Sequence, residues 1–327
     1  MWSNKDWSEY WAKGALHSCP SSFEGFYGDT TQAFWCHQID MCGSGDTLVD
    51  LCCGNGGLLA FVAERLQSER TLDLVGVDSA TLDAGVLRKL CRRYRNLRIF
   101  DQTAIENIPV ADASVHLATS QFGVEYALDD LFWAELARIL ASSARAAWIV
   151  HHADSALISV ATDELKLHRS MCEPGGVLEL ARQVIQAIGN VKPVEQRASF
   201  ERIRRRYNDA VRCLLKLSGG FQNPHLVHDA LRPLVDLIAS ATGTNLQISL
   251  SRFENLVRET RGHMSRLDAM CAAALDDMAI ASVLERFSSM GLSPVAPSKI
   301  YESGQFMGVA LAAGRGRLNH NSITIKQ

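Results

Sequence analysis

The stretch VDLCCGNGG, Val49 to Gly57, sets the tightest limit on what this 327-residue chain can fold into. An apolar, β-branched run ends on an acid, and three glycines crowd into the four residues 54–57. The following GLLAFVAERL then places Leu58, Leu59, Phe61, Val62 and Leu66 at helical spacing. A strand that turns through glycine straight into a helix opens a βα unit, and the pattern repeats. DLVGVD (73–78), LRIF (97–100), VHLATSQFG (115–123) and AAWIVHH (146–152) read as further strands, separated by the helical TLDAGVLRKLCRRY and LDDLFWAELARIL. Ser79 or Thr81 is a plausible cap of the first of these helices. Strands alternating with helices of 10–15 residues imply right-handed crossovers and a mostly parallel sheet.

After about residue 155 the alternation stops. To about 264 the pattern is helical, with one apolar stripe of Val177, Leu180, Ala181, Val184, Ile185 and Ile188 and another of Leu231, Leu234, Val235 and Ile238. EPGG (173–176), SGGFQNP (218–224) and ATGTN (241–245) break it. A last helix is expected from near 267 toward Met290, then strands around 294–300 and 306–313. The organisation expected is therefore an aromatic helical lid over 1–45, an α/β domain made of 46–154 and 265–327, and a helical substrate cap, 155–264, inserted after strand five. The fold class is α/β: a Rossmann-like sheet of seven strands with helices on both faces.

A net charge of -3 offers no field for nucleic acid. No run of 18 apolar residues suggests a membrane span, and MWSNKDWSEYWAKG lacks the apolar core of a signal peptide. The nine cysteines are odd in number and several sit in apolar runs, so reduced thiols and a cytoplasmic setting are expected. Cys36, His37 and Cys42 lack a partner pair at zinc-site spacing, so no metal is expected. Partners are limited to a small-molecule acceptor, with the chain a monomer or homodimer.

Glycine turns between strand and helix bring main-chain N–H groups close to a ligand. A phosphate-binding P-loop needs GxxxxGK[ST], and no lysine stands there. The dinucleotide pattern GxGxxG would need glycine at Cys52, and Asp50 would add like charge beside a pyrophosphate. S-adenosylmethionine has no phosphate but carries an ammonium and a sulfonium, both favoured by an acid such as Asp50. Asp78 ends the second strand 21 residues after Gly57, where a carboxylate can accept ribose hydroxyls.

VDLCCGNGG resembles motif I, D-x-G-x-G-x-G, of class I S-adenosylmethionine-dependent methyltransferases, nearest to the ubiquinone/menaquinone-biosynthesis type, with Cys52 where the first glycine usually stands. IPVADASVHLATSQFGVEY (108–126) resembles the family's LPFPDxSFDxVxxxFGLxx stretch, keeping Pro109, Asp112, Ser114, Phe122 and Gly123, with His116 in place of an aspartate. The resemblance covers about 45–155 and weakly 275–313. It implies that Asp50, Cys52, Gly54, Gly56, Asp78, Ser79, Ala104, Ile105 and Gln121 bind the cofactor. The family's adenine contact is usually an Asp-Ala pair, here Ala104 and Ile105, so main-chain groups or Asp101, Gln102 or Glu106 would replace it.

Methyl transfer is an in-line displacement, so an enzyme mainly supplies alignment and dryness, plus a base if the nucleophile carries a proton. Residues just after strands four and five would face the methyl group. His151 or His152 is the expected base, with Glu125 also a catalytic candidate, and Phe122, Tyr126, Trp11 and Tyr27 are expected to contact the acceptor. Trp7 and Tyr10 belong to the same aromatic set. The arginines of ERIRRRY (201–207) read as a solvated helix face, or else a pocket for an acidic substrate. His225 and His228, spaced i, i+3, read as surface or packing residues, and Met264, Met270 and Cys271 as core. Two other functions fit less well: a methyltransferase acting on RNA or protein, and a non-catalytic subunit that binds the cofactor.

Overall fold

The computed structural model describes residues 4–16, 28–66, 71–190 and 194–315. The chain divides into two compact units, Met1–Ile158 with Ala272–Gln327, and Ser159–Cys271.

The first unit holds one sheet. Helices α1 (Asn4–Trp11) and α2 (Asp29–Asp40) precede β1 (Thr47–Leu51), α3 (Gly57–Arg65), β2 (Asp73–Val77), α4 (Ala84–Arg93), β3 (Leu97–Phe100), β4 (Val115–Gln121), α5 (Asp130–Ile139) and β5 (Leu140–Val150). Near the end of the chain come α11 (Asp277–Ser289), β6 (Ser293–Pro294), β7 (Ser298–Glu302) and β8 (Gln305–Gly314). The strand order is β3-β2-β1-β4-β5-β8-β6, with β7 paired to β8. The first five strands are mutually parallel and β8 runs antiparallel to β5. Among the described residues the sheet has eight strands where seven were expected, because the segment read as one strand around 294–300 forms β6 and β7. Strand order reverses between β1 and β4, which opens a crevice at their carboxyl ends.

Alternation along β1 sorts its side chains. Val49 and Leu51 enter one core with Val75, Val77, Phe132, Trp148 and Phe287, while Leu48 enters the other with Trp35, Leu59 and Leu74. Burying each large apolar side chain contributes about 1.5–3 kcal/mol. The expected strand at 146–152 starts earlier, at Leu140, and ends before the two histidines. Helix α4 is capped by Asp83, whose carboxylate accepts the Val86 N–H at 2.8 Å, and not by Ser79 or Thr81. The single helix expected from 267 to 290 is two helices, because Asp276 caps a new one by accepting from Ala279 N–H at 2.8 Å.

The second unit is helical and has its own core. It contains most of α6 (Ala156–Cys172), then α7 (Val177–Asn190), α8 (Val194–Ser218), α9 (Leu226–Ser240) and most of α10 (Leu246–Ala273). Val177, Leu180, Ala181, Val184, Ile185, Leu231 and Leu234 meet in one cluster, as the two apolar stripes require. Arg202, Arg204, Arg205 and Arg206 are exposed on α8, and His225 and His228 are exposed at the start of α9. Among the described residues no helix is long and apolar enough to cross a membrane.

Candidate functional site

A cavity of about 380 Å³ opens at the carboxyl ends of β1, β2 and β4, within the range of small-molecule sites. Its wall includes Asp50, Cys52, Gly54, Asp78, Ser79, Ala104, Ile105, Gln121, Phe122, Tyr126 and Trp11 from the expected residues. Sequence reasoning had not singled out Asn4, Leu16, Cys53 or Ala127, which also line it. Their only signal would have been position next to the glycine turn or the aromatic segment.

The turn after β1 is shaped by left-handed backbone. Cys52, Gly54 and Gly56 have φ values of 55°, 50° and 82°. For cysteine this conformation costs about 1–2 kcal/mol, which explains why glycine usually stands there. Room for the cysteine comes from Gly123, where a side-chain carbon would lie 2.5 Å from Cys52 Cβ. Gly54 is the seat of Trp11: a methyl there would lie 2.7 Å from the indole. Gly56 does not line the cavity; it caps α3, facing Ile99 and Leu90. Asn55 is fully buried and ties the aromatic segment to the turn. Its amide donates to Trp11 O at 2.9 Å and Ala15 O at 2.7 Å, and its carbonyl accepts from Asp83 N–H at 3.0 Å.

Helix α1 is pinned over the loop after β2. Ser79 Oγ donates to Asn4 Oδ1 at 3.2 Å, and Thr81 N–H donates to Ser8 Oγ at 2.9 Å. Trp7 stacks on Trp11 and meets Tyr126 edge-on, with centroids 6.1 and 5.9 Å apart. Tyr27 lies outside the described residues.

The wall carries three acids, Asp50, Asp78 and Glu106, and among the described residues no lysine, arginine or histidine. Asp50 is buried, accepting from Thr119 Oγ1 at 2.9 Å. Burial pushes its carboxyl up to about 7, against the Thr119 hydrogen bond and helped by the nearby Asp78. Asp78 accepts from Gly54 N–H and Ala80 N–H, both at 2.8 Å. Burial raises its pKa, and these two hydrogen bonds oppose the rise. Of the side chains expected to replace the missing adenine partner, Glu106 lines the cavity and Asp101 and Gln102 do not. Gln121 Oε1 accepts from Trp35 Nε1–H at 2.5 Å. An indole only donates, so the Gln121 amide must turn its NH₂ away from Trp35.

The three expected catalytic residues, His151, His152 and Glu125, are not among the wall residues. His151 and Glu125 are buried, and Glu125 Oε1 accepts from His151 N–H at 3.0 Å and contacts Nδ1 at 2.6 Å. His152 is engaged elsewhere. Its Nδ1 accepts from Asp154 N–H at 3.1 Å, its Nε2 lies 3.2 Å from Asp277, and its main chain bridges to Leu275.

No family model and no curated protein sequence matches this chain. Among solved structures it is similar to 1,6-didemethyltoxoflavin-N1-methyltransferase of Burkholderia thailandensis, bound to 1,6-didemethyltoxoflavin and S-adenosylhomocysteine, at 8% identity over 96% of this chain and 87% of that one, TM-score 0.47. It is similar to a SAM-dependent methyltransferase from Aquifex aeolicus at 14% identity over 47% and 76%, TM-score 0.35. It is also similar to Haemonchus contortus phosphoethanolamine N-methyltransferase 2 in complex with S-adenosyl-L-methionine, at 11% identity over 96% and 58%, TM-score 0.37.

Proposed function

We propose that this chain is an S-adenosylmethionine-dependent methyltransferase acting on a small or medium organic acceptor. The observation that carries the proposal is the buried Asp50 at the head of a cavity walled by carboxylates and aromatic rings, with no cationic side chain among the described wall residues. An anionic cofactor would meet like charge there, whereas an ammonium and a sulfonium offset the cost of ionising Asp50. Once bound, the cofactor supplies a methyl group on a positively charged sulfur.

The chain's own residues then divide the work. Asp50 holds the α-ammonium, beside the turn whose Gly54 seats the Trp11 ring. Gln121 offers its NH₂ to an acceptor such as the α-carboxylate. Asp78 faces the ribose hydroxyls with the lone pairs left by Gly54 and Ala80 N–H. Ala104, Ile105 and Glu106 border the adenine, with Glu106 the candidate partner of its amino group. Trp7, Trp11, Phe122 and Tyr126 exclude water and offer ring faces to a cation or a flat molecule.

The test has two stages. Calorimetry with S-adenosylhomocysteine should show binding by the wild type, and Asp50→Asn should weaken it at least a hundredfold. Turnover of fractionated metabolite extract, read as S-adenosylhomocysteine release, then separates an enzyme from a binder. No heat from the wild type would end the proposal.

A further inference from the structure

We infer that His151 is the general base of the reaction, oriented by Glu125, and that the acceptor is therefore a protic nucleophile, a hydroxyl or a carbon acid, that must lose a proton as it is methylated. The inference rests on the methyl-transfer function proposed above.

Glu125 sits in the short 3-10 turn Val124–Ala127 that follows β4, and His151 directly follows β5. One carboxylate oxygen, Oε1, takes both the main-chain N–H and the Nδ1 of His151. A carboxylate only accepts, so this contact calls for the proton on Nδ1, and a neutral ring so held keeps its lone pair on Nε2. Both His151 Nε2 and Glu125 Oε2 are buried without a hydrogen-bond partner among the described residues. Buried polar atoms in folded proteins nearly always have partners. A carboxyl group and an imidazole locked together, with one ring nitrogen left over, suit a group that arrives with the substrate.

The dyad lies one ring behind the cavity. Phe122 and Tyr126 line the cavity, and both pack on the imidazole, with centroids 4.5 and 6.3 Å away. Phe122 is held at φ 55°, a conformation that a bulky residue seldom adopts. The Phe122 ring must turn aside for the buried imidazole to meet an acceptor in the cavity. In the step itself, the acceptor's lone pair forms the bond to the methyl carbon, and the carbon–sulfur bond breaks with its electron pair going to sulfur. The acceptor's proton passes to Nε2, and Glu125 balances the imidazolium until water takes the proton. The products are the methylated acceptor, S-adenosylhomocysteine and one proton.

The test compares wild type, His151→Gln and Glu125→Gln on matched phenol and thiophenol acceptors at pH 8. Phenols are largely protonated there and thiophenols largely ionised. S-adenosylhomocysteine binding by calorimetry should be unchanged in both variants, and its absence in the wild type would instead refute the cofactor assignment. Turnover of phenols should fall about 10²–10⁴-fold in His151→Gln and by less in Glu125→Gln, while turnover of thiophenols stays within about threefold. Equal losses on both acceptors would reveal a structural role and overturn the inference, as would unchanged phenol turnover. If the wild type turns over neither series, ¹⁵N-histidine NMR decides. A His151 ring protonated on Nδ1 that switches tautomer or broadens in Glu125→Gln supports the dyad, and a proton on Nε2 overturns it.

Discussion

Replacing Asp50 by asparagine should make the protein more stable and less able to bind its cofactor, and both effects follow from one buried carboxyl. Burial raises the group from 3.8 to about 7. At 1.36 kcal/mol per pH unit, the penalty for holding it ionised is about 4 kcal/mol once fully developed. The sign follows from linkage. Below pH 3.8 the carboxyl is protonated in both folded and unfolded chains and contributes nothing. As pH rises from there, the unfolded chain releases the proton and the folded one keeps it, so stability falls until about pH 7 and then levels. Asparagine keeps the carbonyl oxygen that accepts from Thr119 Oγ1 but removes the titration. Urea unfolding should therefore show the two proteins alike at pH 4 and Asp50→Asn more stable at pH 8 by up to about 4 kcal/mol. The same ionisation should make wild-type affinity for S-adenosylhomocysteine climb as pH passes through about 7, because the ligand's ammonium needs the carboxylate. Asp50→Asn should lose that climb. A variant that is destabilised equally at both pH values, or that keeps a pH-dependent affinity, would refute the reasoning.

Trp35→Phe removes the indole donor to Gln121 Oε1 and leaves the amide free to rotate. Affinity for S-adenosylhomocysteine should weaken roughly fivefold, equivalent to about 1 kcal/mol, and Gln121→Leu should show no further loss on the Trp35→Phe background. Gly54→Ala places a methyl 2.7 Å from the Trp11 ring at φ 50°. It should cost about 2 kcal/mol and shift the tryptophan emission, with unchanged emission counting against Trp11 as the cover of the turn. In the helical unit, burial and the neighbouring His263 lower His168 from 6.5 to about 4, against the pull of Glu164. As pH falls from 6.5 to 4, the unfolded chain gains a proton that the folded one refuses, a loss of up to about 3 kcal/mol. His168→Phe should flatten acid unfolding over that range, and an unaltered acid midpoint would refute it.

Much of the cavity's lining was legible because its parts are local. A strand ending on Asp50, a glycine turn and a second strand ending on Asp78 lie within 30 residues, and their parallel pairing follows from the alternating pattern. Trp11 and Tyr126 could be picked out as aromatic neighbours of a ligand, but the reason they share a wall could not. Asn55, an unremarked polar residue within the glycine turn, fixes the aromatic segment by two hydrogen bonds to Trp11 and Ala15. Trp35 and Gln121 are 86 residues apart, and no spacing rule links them. The cap of α4 was misplaced because Ser79 and Thr81 are as good as Asp83 on propensity, and only the helix start separates them. His151 and His152 were indistinguishable along the chain. The fold separates them, giving one to Glu125 under the cavity wall and the other to Asp154 and Asp277.

The amino-acid sequence alone therefore determined the parallel strands of the α/β sheet and the acid-and-glycine turn, because hydrophobic period and backbone conformational preference act over a few residues. Only the tertiary structure decided which distant side chains complete the site. Those choices depend on hydrogen bonds and ring contacts between segments that meet only when the sheet and its two cores have closed.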